Sequence, residues 1–343
     1  MRQGFMVIEE LFDGWRYSKN SNTYDYARFF SKGDEYIEVV VENVIKRDKN
    51  NPAIIMWSLG NEVDEGCSTS LNSQYVTDAT TINTFVKKYD TTRPTTIGNN
   101  KPANTYAMQI MALVDIAGVN YGDDSEYSTL RNASSGTTSF STKCIYGSET
   151  TSPFYTRGIY TTDTSKNYYS CFDYSNSEST SSHATWGDSS CVALKRHTET
   201  YTWLTGIMPW TGFDYIGEPT PVNNKWVRSS YFGIVDLCGL PKDAYYLYQA
   251  KWTSSPMIHI VPEDWSTWTV GSSVAVWVYS NCASVKLHLN GTEIEATSTP
   301  STGSHYAYEY SVTYSTGTLV ATGYNASEEI VAQDICYSAG NAA

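Results

Sequence analysis

Two glutamates occupy positions where chemistry could be done. Trp57-Ser58-Leu59-Gly60-Asn61-Glu62 closes an apolar run on a carboxylate, and Cys144-Ile145-Tyr146-Gly147-Ser148-Glu149-Thr150 does the same. Each run has the length and composition of a buried strand, so each acid falls at a strand's C-terminal end. In a parallel α/β barrel those ends form the catalytic face. Two carboxylates facing each other across a sugar ring are what glycoside hydrolysis needs. One, protonated, delivers its proton to the departing oxygen, and the other, ionised, attacks the anomeric carbon. Asn61, beside the first acid, can hydrogen-bond a sugar hydroxyl next to the scissile bond. The bland alternative for Glu62, capping the next helix, is disfavoured because Glu is a poor N-cap residue. Ser148-Glu149-Thr150 alone would carry little; its place after a buried run gives it weight.

Other chemistries find less support. His183, His197, His259, His288 and His305 form no His-x₃-His pair, so a zinc hydrolase is not indicated. No Gly-x-Ser-x-Gly elbow and no glycine-rich phosphate loop after a strand occur, and no cofactor is expected. The seven cysteines are odd in number and lack a Cys-x-x-Cys pair. Most are therefore read as free thiols, with Cys171 and Cys191 the one candidate loop disulfide. A net charge of −13 repels phosphate backbones and argues against nucleic acid as a partner. No run of 18 apolar residues is present, so no transmembrane helix is expected, and the first 15 residues lack the shape of a signal peptide. Twenty-eight tyrosines and 10 tryptophans suit sugar platforms, although Tyr is equally a good strand residue.

The elements that must position the two acids alternate through residues 1–254. Strands are expected near 5–8, 53–59, 95–98, 114–119, 143–147 and 206–210, with Phe5 to Ile8 read as buried. Ile37, Val40, Val41, Val44 and Ile45 share a helical face over 34–48, with Asp34 and Glu35 at its start and Lys46 and Arg47 at its end, matching the helix dipole. Tyr75, Ala79, Ile82, Val86 and Tyr89 repeat the helical spacing, and helical character returns at Val192 to Leu204. Repeated β–α units imply a parallel sheet with helices outside it. Residues 161–190, rich in Ser, Thr and Tyr, read as a long surface loop forming a lid or rim. From 255 to 343 the period becomes two: Val274, Val276 and Val278 alternate with Ala275, Trp277 and Tyr279. Val285, Leu287 and Leu289 lead to an Asn290-Gly291 turn, and Tyr306 to Tyr314 alternate again. That pattern implies an antiparallel, immunoglobulin-like sandwich, with the boundary near Ser254–Pro256.

Taken together, the motifs resemble the β-galactosidases of glycoside hydrolase family 2, over nearly the whole chain. They are Glu9-Glu10, Phe12-Asp13-Gly14-Trp15, Tyr24-Asp25-Tyr26, Arg47-Asp48-Lys49-Asn50-Asn51-Pro52 and Trp57 to Glu62. Gly147-Ser148-Glu149-Thr150, the run Trp210 to Pro219, Ser230 to Asp236 and Tyr245 to Trp252 are similar to a bacterial branch of that family. The resemblance implies a retaining mechanism with Glu62 as general acid/base and Glu149 as nucleophile. It further implies Asn61 on the sugar 2-hydroxyl, Tyr121 hydrogen-bonded to the nucleophile and Trp210 lining the sugar subsite. The implied partner is a β-galactoside-type glycan, and the family is compatible with a secreted or periplasmic setting. Glu9-Glu10 stands where the family usually has Asp-Glu.

In the family pattern the block around Gly4 to Trp15 belongs to the third barrel strand. The fold expected is therefore an incomplete (β/α)₈ barrel lacking its first two β–α units, followed by the all-β sandwich. A truncated gene, a split protein completed by an N-terminal portion or complementing chain, and a degenerate remnant all fit. Three further alternatives stay open: β-glucuronidase, β-mannosidase and a non-catalytic carbohydrate-binding module. Asn99-Asn100-Lys101 looks like a glucuronidase's Asn-x-Lys arrangement but comes after too early a strand.

Overall fold

The structure, a computed structural model, describes residues 4–16, 30, 32–63, 72–174, 184–217, 229–303 and 305–338. Tyr24 to Tyr26, Cys67, His183 and Glu218-Pro219 lie outside them. The chain divides into two compact units, Met1–Thr150 with Leu194–Pro209, and Thr151–Ala193 with Trp210–Ala343.

The first unit is built on six parallel strands: β1 (Val7–Glu10), β2 (Ile54–Asn61), β3 (Thr95–Asn99), β4 (Ile116–Asn120), β5 (Cys144–Glu149) and β6 (Leu204–Ile207). They lie side by side in chain order, as an incomplete barrel with β1 and β6 at its edges. Helix α1 (Asp34–Asp48) follows β1, and α2 (Asn72–Tyr89), α3 (Thr105–Leu113) and α4 (Asp124–Asn132) connect the next strands. α1 follows its sequence pattern closely. Ile37, Val41 and Ile45 are buried, and Val40 and Val44 pack against the core at its margin. Fully burying one such aliphatic side chain contributes about 1.5–3 kcal/mol, so this stripe fixes which face α1 presents to the sheet. Polar ties set the register. Arg93, after α2, donates to the carbonyls of Ile54 (2.6 Å) and Asn51 (3.2 Å), while the Trp57 indole donates to Asp90 (3.0 Å). α3 and α4 are capped by Asn104 and by a capping box from Asp123 and Glu126.

Two sequence expectations are corrected here. Phe5 and Met6 are 68% and 74% exposed, and the strand starts only at Val7. Among the described residues β1 pairs with β2 alone, and an edge strand does not bury its lead-in residues. The last barrel strand runs Leu204–Ile207, ending three residues short of Trp210. The helix before it, α5 (Ser190–Lys195), continues as a π-helical turn, Arg196–Thr200.

The second unit holds helix α6 (Asp243–Trp252) and two larger antiparallel sheets, of three and four strands. The first consists of β7 (Ile258–Val261), β8 (Ser273–Ser280) and β11 (Tyr308–Thr313), in that order. The second has the order β10 (Thr292–Ile294), β9 (Ser284–Leu289), β12 (Thr318–Tyr324) and β13 (Ile330–Tyr337). Asn290 and Gly291, with φ of 52° and 81°, make the β9–β10 turn. Those angles suit the primed turns that match strand twist. Val274, Val276, Val278, Leu287 and Val312 form the core, closed by Trp265 and Tyr314. The stretch 161–190 is not a bare loop. It holds a helical turn (Cys171–Tyr174) and a strand (Ala184–Gly187) paired with Thr151–Pro153. Cys171 and Cys191 are both buried and form no disulfide with each other; the Cys191 thiol donates to the His305 carbonyl at 3.2 Å.

Candidate active site

The site residues follow from the sheet register. β2 places Asn61 opposite Gly98 of β3, and β4 places Asn120 opposite Glu149 of β5. Both pairings lie at irregularities in the ladder, where side chains are re-aimed. Just past the strand ends, Glu62 and Tyr121 adopt left-handed backbone, with φ of 47° and 53°. Non-glycine residues pay for that conformation, and such strain clusters at functional sites. Backbone bonds hold both in place: Glu62 N–H donates to the Gly98 carbonyl (3.0 Å) and Tyr121 N–H to the Glu149 carbonyl (2.5 Å). The Phe12 to Trp15 segment braces the end of β2. The buried Trp15 indole donates to the Leu59 carbonyl (3.1 Å), and Asn61 N–H donates to the Asp13 carbonyl (3.3 Å).

Four of the five residues singled out in the sequence fall in two hydrogen-bonded sets that meet at the chain neighbours Asn120 and Tyr121. The Asn120 amide donates to Glu62 Oε1 (3.0 Å) and to Asn61 Oδ1 (2.8 Å). Its own Oδ1 accepts from the Ser148 hydroxyl at 2.5 Å. The Tyr121 phenol donates to Glu149 Oε2 at 2.5 Å, a contact that favours the ionised carboxylate. The fifth, Trp210, belongs to the second unit. There its N–H donates to the Thr151 carbonyl (3.0 Å) and its ring stands edge-on to Tyr215, with centroids 6.0 Å apart.

Asn120 and Ser148 were not singled out in the sequence, although each adjoins a residue that was. Gly98 and Gly118 leave the space that these side chains fill. A Cβ on Gly98 would come within 2.8 Å of Asn61 Oδ1 and 2.9 Å of Asn120 Oδ1, and one on Gly118 within 2.8 Å of Ser148 Oγ. Two strand-interior glycines are costly unless something occupies the space they leave.

The acidic pair on β1 splits. Glu10 accepts from the Ser58 hydroxyl (3.1 Å), whereas Glu9 lies 3.6 Å from Arg47 of α1. Burial pushes the Tyr146 phenol up to about 12, helped by the charges of Glu10 and Glu149. Asn99, wholly buried at the end of β3, accepts from Lys101 N–H (2.8 Å) and so shapes its own loop. His197 backs β5, its Nε2 3.2 Å from the Tyr127 hydroxyl. Among the described residues no group of three or more His, Cys, Asp or Glu is arranged to hold a metal ion. None of the described helices is long and apolar enough to cross a membrane.

Residues 2–168 match the model of the glycosyl hydrolases family 2 TIM barrel domain, and residues 271–332 match a domain of unknown function, DUF4982. The chain is 33% identical to beta-galactosidase BoGH2A of Bacteroides ovatus over 98% of its own length and 42% of that protein's. It is 30% identical to a putative beta-glucuronidase of Formosa agariphila, over 94% of this chain and 31% of that one. A crystal structure of a beta-glycosidase from Bacteroides vulgatus superposes with a TM-score of 0.73 at 28% identity, covering 98% of this chain and 42% of the other. The chain thus spans less than half the length of the curated relatives it matches. With six consecutive barrel strands, carboxylates at the ends of the second and fifth, and these relatives in common, the chain belongs to glycosyl hydrolase family 2.

Proposed function

We propose that the protein is a retaining exo-β-glycosidase and that its substrates are terminal β-galactosides. The observation that carries this reading is the joining of two strand-end acids. Glu62 is bonded to Asn120, whose chain neighbour Tyr121 is bonded to Glu149. Glu149 attacks the anomeric carbon as the glycosidic bond breaks, and Glu62 hands its proton to the departing oxygen. Glu62 then takes a proton from water, whose oxygen displaces Glu149 from the anomeric carbon. Asn61 binds the sugar 2-hydroxyl. The same reading divides the chain into a catalytic part, residues 1–254, and a β-sandwich, residues 255–343.

Chromogenic glycosides test it. Galactoside hydrolysis should release the β-anomer first, as followed by NMR, and Glu149→Gln should lower turnover by more than about a thousandfold. Glu62→Gln should cost about 10²–10⁴-fold on unactivated substrates. Unchanged activity in Glu149→Gln would remove its role. The putative beta-glucuronidase among the relatives makes glucuronides the main competing substrates. Against them, the Asn99 side chain is buried and its Oδ1 accepts from Lys101 N–H within its own loop. Preferred turnover of the glucuronide would replace the galactoside assignment. Glycan binding without hydrolysis would make the protein a binding module.

A further inference from the structure

We infer that Asn120, held by Ser148, is the positioning residue that fixes which oxygen of Glu62 carries the catalytic proton; the inference rests on the glycosidase reading above. A primary amide has two N–H donors and one carbonyl acceptor. Asn120 spends its donors on Glu62 Oε1 (3.0 Å) and Asn61 Oδ1 (2.8 Å), and its acceptor on the Ser148 hydroxyl (2.5 Å). Turning the amide over would set its oxygen against the Glu62 carboxylate and the Asn61 carbonyl, and its NH₂ against the Ser148 hydroxyl. The Ser148 hydroxyl can donate or accept and suits either orientation, so the two oxygens of Glu62 and Asn61 that face the NH₂ end set the amide's direction, and Ser148 holds its other end.

The consequence falls on Glu62. In a protonated carboxyl the carbonyl oxygen is the good acceptor and the hydroxyl oxygen the poor one. An N–H fixed on Oε1 biases the proton to Oε2, so the acid presents its proton from one defined oxygen. When the proton passes to the departing oxygen, the same N–H stabilises the carboxylate that remains. Asn61 is set by the same chain. Its Oδ1 accepts from Asn120, which leaves its NH₂ as the end that donates to a sugar hydroxyl.

The arrangement is built in. Asn120 is 1% exposed, and Gly98 and Gly118 hold open the space that its amide and the Ser148 hydroxyl fill. Ser148 also directly precedes Glu149. One hydrogen-bonded line therefore runs from the strand of the nucleophile to the acid.

The test compares kcat/KM for two galactosides. One has a dinitrophenyl leaving group that departs with little protonation, and the other has an alkyl leaving group that needs the acid. Asn120→Ala should lower kcat/KM about a hundredfold for the alkyl galactoside and only about threefold for the dinitrophenyl one. Ser148→Ala should show the same selectivity at about tenfold, and Ser148→Thr, which keeps the hydroxyl, should restore most of it. The double variant should be no worse than Asn120→Ala alone, because one line of bonds is broken once. Gly98→Ala, which leaves both side chains in place but crowds the amides, should reproduce the selectivity. Equal losses on both substrates, or none, with Glu149→Gln still inactive and Glu62→Gln impaired on the alkyl galactoside, would overturn the role of Asn120 alone. Full activity in Glu149→Gln, or wild type that hydrolyses neither substrate, would overturn the glycosidase reading and this inference with it.

Discussion

Each unit of the molecule holds carboxylates among fixed hydrogen-bond donors, and the two sets are used differently. In the second unit, Asp214 and the 2%-exposed Lys242 form a closed pair at 2.8 Å. Lys242 also donates to the carbonyls of Tyr155 (3.0 Å) and Tyr231 (3.1 Å), and Asp214 accepts from Gly233 N–H (2.7 Å). Burial pushes the Asp214 carboxyl above its ordinary range and the Lys242 ammonium below its own. Both shifts favour the neutral forms and have one cause, desolvation that outweighs the pair's attraction. Perturbed groups of this kind are often read as functional, yet every bond here points inward to backbone or partner. In the first unit, the mark of the site is different. Left-handed backbone delivers Glu62 and Tyr121, and neutral donors from Asn120 and Tyr121 meet the two acids. On the proposed reading, strain together with aimed neutral donors marks the catalytic carboxylates, and the displaced Asp214–Lys242 pair is a structural one.

The largest effect expected from this contrast lies in the second unit. Lys242→Met should destabilise it by about 3–5 kcal/mol, because Asp214 is left charged and buried. Adding Asp214→Asn should recover much of that loss. Hydrogen exchange over residues 229–252 reads both variants, and a single variant as protected as wild type would mean the pair anchors nothing. Tyr121→Phe should do the reverse. It should lower kcat about a hundredfold, by removing a donor from the nucleophile, while the unfolding midpoint stays where it was. A fall in the midpoint with intact kcat would reduce Tyr121 to a structural residue.

Much of this layout could be read from the residues. α1 was legible because apolar period, acidic start and basic end agreed, and the site acids because each closed an apolar run. The Asn120–Ser148 line was not, since it depends on lateral register between β2, β4 and β5, which no local pattern encodes. The sandwich alternation failed at Trp277, which is buried alongside Val276 and Val278. Phe172 and His305 cover its ring, at 4.7 and 4.6 Å between centroids. Period two assumes one wet face, and long-range aromatic cover removes it. The exposed Phe5 and Met6 failed for the opposite reason: an apolar run says nothing of how many neighbours its strand has.

The smallest effect separates the units by pH. Asp90 in the first unit is buried, and burial alone would push its carboxyl up. Donors from Thr92 N–H (2.8 Å), Thr92 Oγ1 (2.6 Å), Trp57 Nε1 (3.0 Å) and Arg93 (2.9 Å) more than offset that and hold it well below the ordinary range. A depressed folded value contributes stability that is present above the unfolded carboxylate's pKa, about 4, and is lost as pH falls through the folded value. Asp214, shifted up, has the opposite sign: its contribution is present below that unfolded value and lost as pH rises through the folded one. Asp90→Asn should therefore cost the first unit roughly 1–2 kcal/mol at neutral pH, read as hydrogen-exchange protection of residues 54–61. The gap to wild type should narrow as the pH is taken below about 4, because the wild-type carboxylate then begins to lose its advantage over the amide. Over the same acid range Asp214→Asn should change the second unit less than it does at neutral pH, since Asp214 already carries its proton more readily there. A gap at Asp90 that stays constant from neutral to strongly acidic pH would mean its four donors do not act through its charge.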